Sequence, residues 1–288
     1  MPYSNFHSHT SFCDGHASPE DYIKEAFRQK FFAYGFSSHA PLPFPCDWTI
    51  KKNKIENYIN EIKELKLQYG NNIHIACGLE VDFIPGISSP NSPEITSLEL
   101  DYTIGSIHFV DSFKDGKNWQ IDNTPDIFHT GLVHIFNNNI QKAVTRYFEL
   151  TRQMLHDSPP DILGHLDKIK MHNTKNKLFD EQENWYREEI IRTLNLIKEK
   201  NVIVEINTRG FYKRNENLSP GIWILKIIRD MEIPIIVISD AHEPHEISLG
   251  MEYTYNILKN LKFNTVSSFF NKSWQSFQFD TQGIKINN

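Results

Sequence analysis

Histidines and carboxylates recur in this chain at the ends of short apolar runs. The fragments are Phe6-His7-Ser8-His9, Ser38-His39, Gly78-Leu79-Glu80, Gly105-Ser106-Ile107-His108, Gly164-His165-Leu166-Asp167 and Ser239-Asp240-Ala241-His242. Imidazole nitrogen and carboxylate oxygen are the donors that divalent transition metals prefer. His7 and His9 are two apart, as are Asp240 and His242. In extended backbone, positions i and i+2 point the same way, so each pair can reach one ion. Glu80 is the well-placed glutamate, suited to bridging two ions. Singly, each residue has an ordinary reading: His39, His108 and His165 as hydrogen-bonded structural imidazoles, Glu80 as a solvated loop acid, Asp240 as a helix cap. Together, in chain order, they describe a multinuclear metal hydrolase.

Such donors need strands that end at one place. Apolar, β-branched and aromatic runs predict strands over 3–7, 32–37, 73–81, 102–109, 161–164, 202–206 and 235–239. The last two are almost wholly apolar, as suits parallel strands buried on both faces. Helices are predicted between them. Ser18-Pro19-Glu20-Asp21 is a helix start, with a Ser cap, Pro at the first position and acids in the first turn, leading into 22–30. Others are expected at 53–69, 140–156, 181–200, 220–230 and 248–261. This alternation predicts a parallel sheet or barrel. About seven strand-like runs, one short of the usual eight, point to an α/β distorted (β/α)7 TIM-like barrel with its site at the C-terminal ends of the strands. No linker divides the chain, so 1–288 is expected to be a single domain. The polar-aromatic segment 111–139 reads as a substrate-facing loop or insertion, and 263–279 as a terminal element packed on the barrel.

The 288 residues carry 30 Lys+Arg against 36 Asp+Glu, a formal charge of -6. That disfavours a nucleic-acid footprint. It leaves a small anionic substrate open, because bound metals reverse the sign inside a pocket. Cys13, Cys46 and Cys77 form no disulfide framework and no C-x-x-C pair. There is no leader-like start and no apolar run of about eighteen residues, so no membrane partner is expected and a cytoplasmic location is.

The chain resembles the polymerase and histidinol phosphatase (PHP) superfamily over nearly its full length, and most of all its histidinol-phosphate phosphatase branch. The resemblance rests on HSHTSFCDG, GFSSHAPLPF, GLEVDF, GSIHF, GHLDKIK and SDAH, in that order. It implies a metal-dependent phosphomonoesterase with a trinuclear centre. The substrate would be L-histidinol phosphate, hydrolysed to L-histidinol and phosphate in histidine biosynthesis, or alternatively a nucleotide or other small phosphate ester. It also implies a partition of ligands. His7, His9, Glu80 and Asp240 would hold one ion, Glu80 would bridge to a second completed by His108 and His165, and His39 and His242 would hold a third. The remaining ligand would be Asp14, favoured by position, or His16. Zn, Mn, Fe or Co would suit these donors. A hydroxide bridging the first two ions would attack phosphorus in line, with Asp240 or His242 passing a proton to the leaving alkoxide and no phosphoenzyme. Phosphate needs cations. Lys170 and Lys213 are candidates by resemblance, and Arg209 by its nearness to a strand end. A histidinol pocket would want a carboxylate and an aromatic face, for which Asp82, Asp111 and Trp119 are candidates. Asp82 could equally orient a metal-bound histidine. An amidohydrolase also starts with H-x-H, but no lysine stands at a suitable strand end here.

Overall fold

Short apolar strands and amphipathic helices alternate along the chain in the computed structural model, which describes residues 3–214 and 218–286. Strand β1 (Ser4–Asn5) leads to α1 (Pro19–Arg28), where Ser18 and Asp21 form the expected capping box. Then come β2 (Ala33–Phe36), α2 (Ile55–Tyr69), β3 (His74–Asp82), the short α3 (Pro93–Thr96) and β4 (Tyr102–Ser106). A hairpin of β5 (Phe109–Ser112) and β6 (Asn118–Gln120) follows, then α4 (Pro125–Phe136), α5 (Ile140–Asp157) and β7 (Ile162–Leu163). The chain continues through α6 (Asn184–Lys200), β8 (Ile203–Asn207), α7 (Arg209–Arg214), α8 (Ile222–Asp230), β9 (Ile235–Ile238) and α9 (Met251–Asn260). Strands β10 (Thr265–Phe270), β11 (Ser273–Asp280) and β12 (Gly283–Ile284) end it.

Seven strands form one parallel sheet in the order β1-β2-β3-β4-β7-β8-β9. A parallel bridge between Ser8 and Ala241, with His9 N donating to Ala241 O at 2.8 Å, joins the first strand to the last. The sheet is therefore a nearly closed seven-stranded barrel, as predicted. Its interior holds Phe6, Ala33, Ala76, Tyr102, Ile104, Ile162, Ile203, Ile236 and Ile238, and Phe269 and Trp274 of the β10–β11 hairpin pack against this cluster. The terminal element thus plugs the end of the barrel remote from the histidines. The helices surround the barrel and bury their apolar faces in a second, larger cluster.

Two glycines in this interior have a steric reason. A Cβ on Gly78 would lie 2.5 Å from the Tyr102 ring, and one on Gly35 would lie 2.6 Å from the Tyr102 hydroxyl. The space they leave lets that hydroxyl donate to Phe6 O at 2.6 Å and Phe36 O at 2.9 Å. One tyrosine thereby ties the ends of β1 and β2, just ahead of His7 and His39.

The segment 111–139 is not a plain loop. The predicted strand over 102–109 splits at Ile107-His108, its second half pairs antiparallel with β6 outside the barrel, and Thr124 caps α4. No described helix is long and apolar enough to cross a membrane.

Candidate metal centre

Six of the seven barrel strands deliver a donor where the strand ends. His7 and His9 follow β1, His39 follows β2, Glu80 lies near the end of β3, His108 follows β4, His165 follows β7, and Asp240 and His242 follow β9. Glu80 is central and buried. Its Oε2 lies 3.1 Å from His7 Nε2, 3.5 Å from His9 Nε2 and 3.0 Å from His39 Nδ1. Its Oε1 lies 2.9 Å from His165 Nε2 and 3.6 Å from His108 Nε2, and accepts from Ser106 Oγ at 2.6 Å. Asp240 Oδ1 lies 3.2 Å from His9 Nε2, and Asp14 Oδ2 lies 3.2 Å from His242 Nε2.

Three sets of donor atoms fall within 4.8 Å of one another: His9, Asp14, His39 and His242; His7, His9 and Asp240; and His39, Glu80 and His108. His7 Nε2 and Asp14 Oδ1 are buried and make no hydrogen bond among the described residues. Convergent N and O donors with buried, unsatisfied lone pairs fit several divalent ions.

Electrostatics prepare these donors. Burial alone would raise the pKa of Glu80, yet the imidazoles of His7, His39 and His108 outweigh it and hold the carboxyl well below its usual range. Burial is likewise outweighed at Asp240, chiefly by His7 and a hydrogen bond from His9. His9 is pushed down to about 3 by burial and by its neighbours His242 and His39, so it stays neutral. His7 and His108 go the other way. Burial is overcome by Glu205, Glu80 and Asp240 at His7, and by Asp82, Asp122 and Glu80 at His108, which rises to about 10.

A surrounding layer aims the imidazoles. Glu205, fully buried on β8, faces His7 Nδ1 at 2.6 Å, which turns Nε2 toward the centre. It also accepts from His165 N at 3.1 Å and Asn207 Nδ2 at 2.8 Å. Asp82 does the same for His108 Nδ1 at 3.0 Å. Asp240 sits at φ 52°, a left-handed conformation costing a non-glycine residue about 1–3 kcal/mol. Asn207 Nδ2, 3.1 Å from its carboxylate, and Arg209, which donates to its carbonyl at 2.7 Å, hold it there.

A cavity of about 710 Å³ opens over the donors. Arg209 lines it, as expected, but the other two predicted cations do not. Lys170 turns to Asp167 at 2.8 Å and Glu181 at 3.1 Å, bracing the loop at Ser219–Gly221. Lys213 is 44% exposed and pairs with Glu246. Lys168, two residues before Lys170, reaches the cavity instead. Burial opposes its charge, but Asp122, Asp240 and Glu80 outweigh it and raise its pKa.

Other expectations need correction too. His16 is exposed and belongs to none of the donor sets, so Asp14 is the residue brought to His9, His39 and His242. Asp82 is spent on His108. Asp111 pairs with Arg146 at 2.9 Å. Trp119 is fully buried against Phe128 and Phe136, away from the cavity. Outside the donor sets, the aromatic ring and the acid that line the cavity are Trp48 and Asp122. Sequence reasoning missed both, along with Lys168 and Glu205. Of these only Glu205 has a visible signal, an acid in the middle of the apolar run Ile203–Ile206.

A family model described as PHP domain matches residues 5–209. The chain is 29% identical over 269 residues to a Schizosaccharomyces pombe protein named "Probable histidinol-phosphatase", covering 87% of this chain and 83% of that one. It is 28% identical over 271 residues to the histidinol-phosphatase of Bacillus subtilis, covering 85% and 96%. The fold matches the crystal structure of histidinol phosphate phosphatase from Lactococcus lactis, complexed with zinc, L-histidinol and phosphate. The TM-score there is 0.70 at 19% identity over 99% of both chains.

Proposed function

Because the chain belongs to the PHP domain family, we propose that it is a metal-dependent phosphomonoesterase that hydrolyses L-histidinol phosphate to L-histidinol and phosphate. One observation carries this reading: Glu80, Asp240, Asp14 and the surrounding imidazoles converge under a cavity whose wall also presents Arg209 and Lys168. Donors for hard cations beside two protein cations suit a phosphoryl group, which offers several anionic oxygens at once. The names of the relatives point to the same chemistry.

In this reading His7, His9, Glu80 and Asp240 would hold one ion, and Glu80, His108 and His165 a second. Asp14, His39 and His242 would hold a third. Bound zinc, manganese or iron would supply a nucleophile at neutral pH and neutralise charge on the phosphoryl oxygens. The protein does the rest. Glu205 and Asp82 fix the tautomers of His7 and His108, so that Nε2 of each is the ligating atom. Arg209 and Lys168 bind the non-reacting phosphoryl oxygens and orient the ester. The departing alkoxide oxygen would take its proton at the cavity wall, where Asp240 and His242 stand. A small-molecule substrate handled in the cytoplasm fits a chain with no membrane-crossing helix among its described residues.

Chelation should abolish phosphate release, and zinc or manganese added back should restore it. Release that survives complete metal removal contradicts the proposal.

A further inference from the structure

A carboxylate at the edge of a phosphate-binding centre repels the phosphoryl oxygens, yet Asp122 stands there. It follows β6 on the hairpin that leaves the barrel, and Ile121 N donates to His108 O at 2.9 Å, tying this segment to the site. Asp122 Oδ2 lies 3.4 Å from Lys168 Nζ and 3.7 Å from His108 Nε2. Its Oδ1 accepts no hydrogen bond among the described residues. The side chain lines the cavity and is 17% exposed. Trp48 also flanks His108, ring centroids 5.6 Å apart, and is stacked on Phe109 at 5.9 Å. An acid and a flat aromatic ring thus both neighbour one donor.

We propose that Asp122 selects phosphate monoesters that carry an ammonium group a few atoms from phosphorus, and that Trp48 receives an aromatic ring attached to the same substrate. The inference rests on the phosphomonoesterase reading above and deepens it. The barrel strands would carry the chemistry common to many phosphate esters. The inserted hairpin would carry the choice among them. A carboxylate with acceptor capacity left over rewards a cation, and it penalises a substrate that brings further negative charge or none. Lys168 is already near Asp122, so the same carboxylate also keeps that lysine charged and aimed at the phosphoryl group.

The test compares wild type, Asp122→Asn and Asp122→Glu in the metal-loaded protein. Three quantities are read: kcat/KM for L-histidinol phosphate and for p-nitrophenyl phosphate, binding of L-histidinol by titration calorimetry, and metal content. In Asp122→Asn the ratio of the two kcat/KM values should fall about 30-fold or more, with L-histidinol binding weakened about 10-fold and full metal content. Asp122→Glu should recover part of the ratio. A ratio that stays within about threefold of wild type overturns the proposal. So does a loss of bound metal with both substrates declining in parallel, which would make Asp122 a ligand. If wild type hydrolyses neither ester, the phosphomonoesterase reading falls, and calorimetry still decides on Asp122: equal L-histidinol binding by wild type and Asp122→Asn removes it as the amine site.

Discussion

At the scale of single residues, the chemistry depends on which imidazole nitrogen faces inward and which lysine faces the cavity. Glu205→Gln weakens the hold on His7 Nδ1. Loss of such an orienting partner should lower metal affinity about 10–100-fold, measured by competition with a chelator, while the far-ultraviolet circular dichroism stays that of the wild type. Protons also compete with metal. Carboxylates raise His7 and His39 against burial and lift His108 to about 10, so these imidazoles hold protons more tightly in the metal-free protein than free ones do. An entering ion must displace them, so affinity should climb as pH rises from about 6 to 8, with proton release on binding. An affinity independent of pH over that range would mean that the three imidazoles are already neutral before metal enters. The two lysines should separate cleanly. Lys168→Ala should mainly raise KM. Lys170→Ala strips the buried Asp167 carboxylate of its cation and should cost about 3 kcal/mol of stability in urea denaturation with KM little changed. The order of Lys168 and Lys170 was not legible in the sequence, because both lie on one tight turn, Lys168–His172, whose direction no periodicity reveals.

At the scale of elements, the barrel strands were readable because each is a short apolar run and all but β8 are closed by a donor. The hairpin was not. The apolar run Tyr102–Val110 continues past the point where β4 leaves the barrel, and no Gly or Pro marks the break at Ile107-His108. That hidden break is why Trp119 and Asp111 look like pocket residues in the sequence while Asp122 does not; Trp48, on the loop after β2, carries no periodic signal. Packing inside the barrel yields a further prediction. Gly78→Ala would drive a methyl group into the Tyr102 ring and strain the link from its hydroxyl to Phe6 and Phe36. It should destabilise the fold by about 1–3 kcal/mol in chemical denaturation and lower metal affinity with it. A variant as stable as wild type would mean that Tyr102 does not set the spacing of β1 and β2.

The whole molecule combines a closed barrel, a hairpin plug at one end and a donor-lined cavity at the other. The mild net charge of -6 says little about this, because the two cations that face the cavity are local. The donor pattern along the chain was the stronger guide, since strand order puts consecutive donors side by side around the rim. Histidinol-phosphate hydrolysis is tested most directly by phosphate release from L-histidinol phosphate, AMP and p-nitrophenyl phosphate, each with zinc- and manganese-loaded protein. The expected result is a kcat/KM for L-histidinol phosphate about 100-fold or more above the other two. Comparable rates on all three, or a preference for AMP, would contradict it.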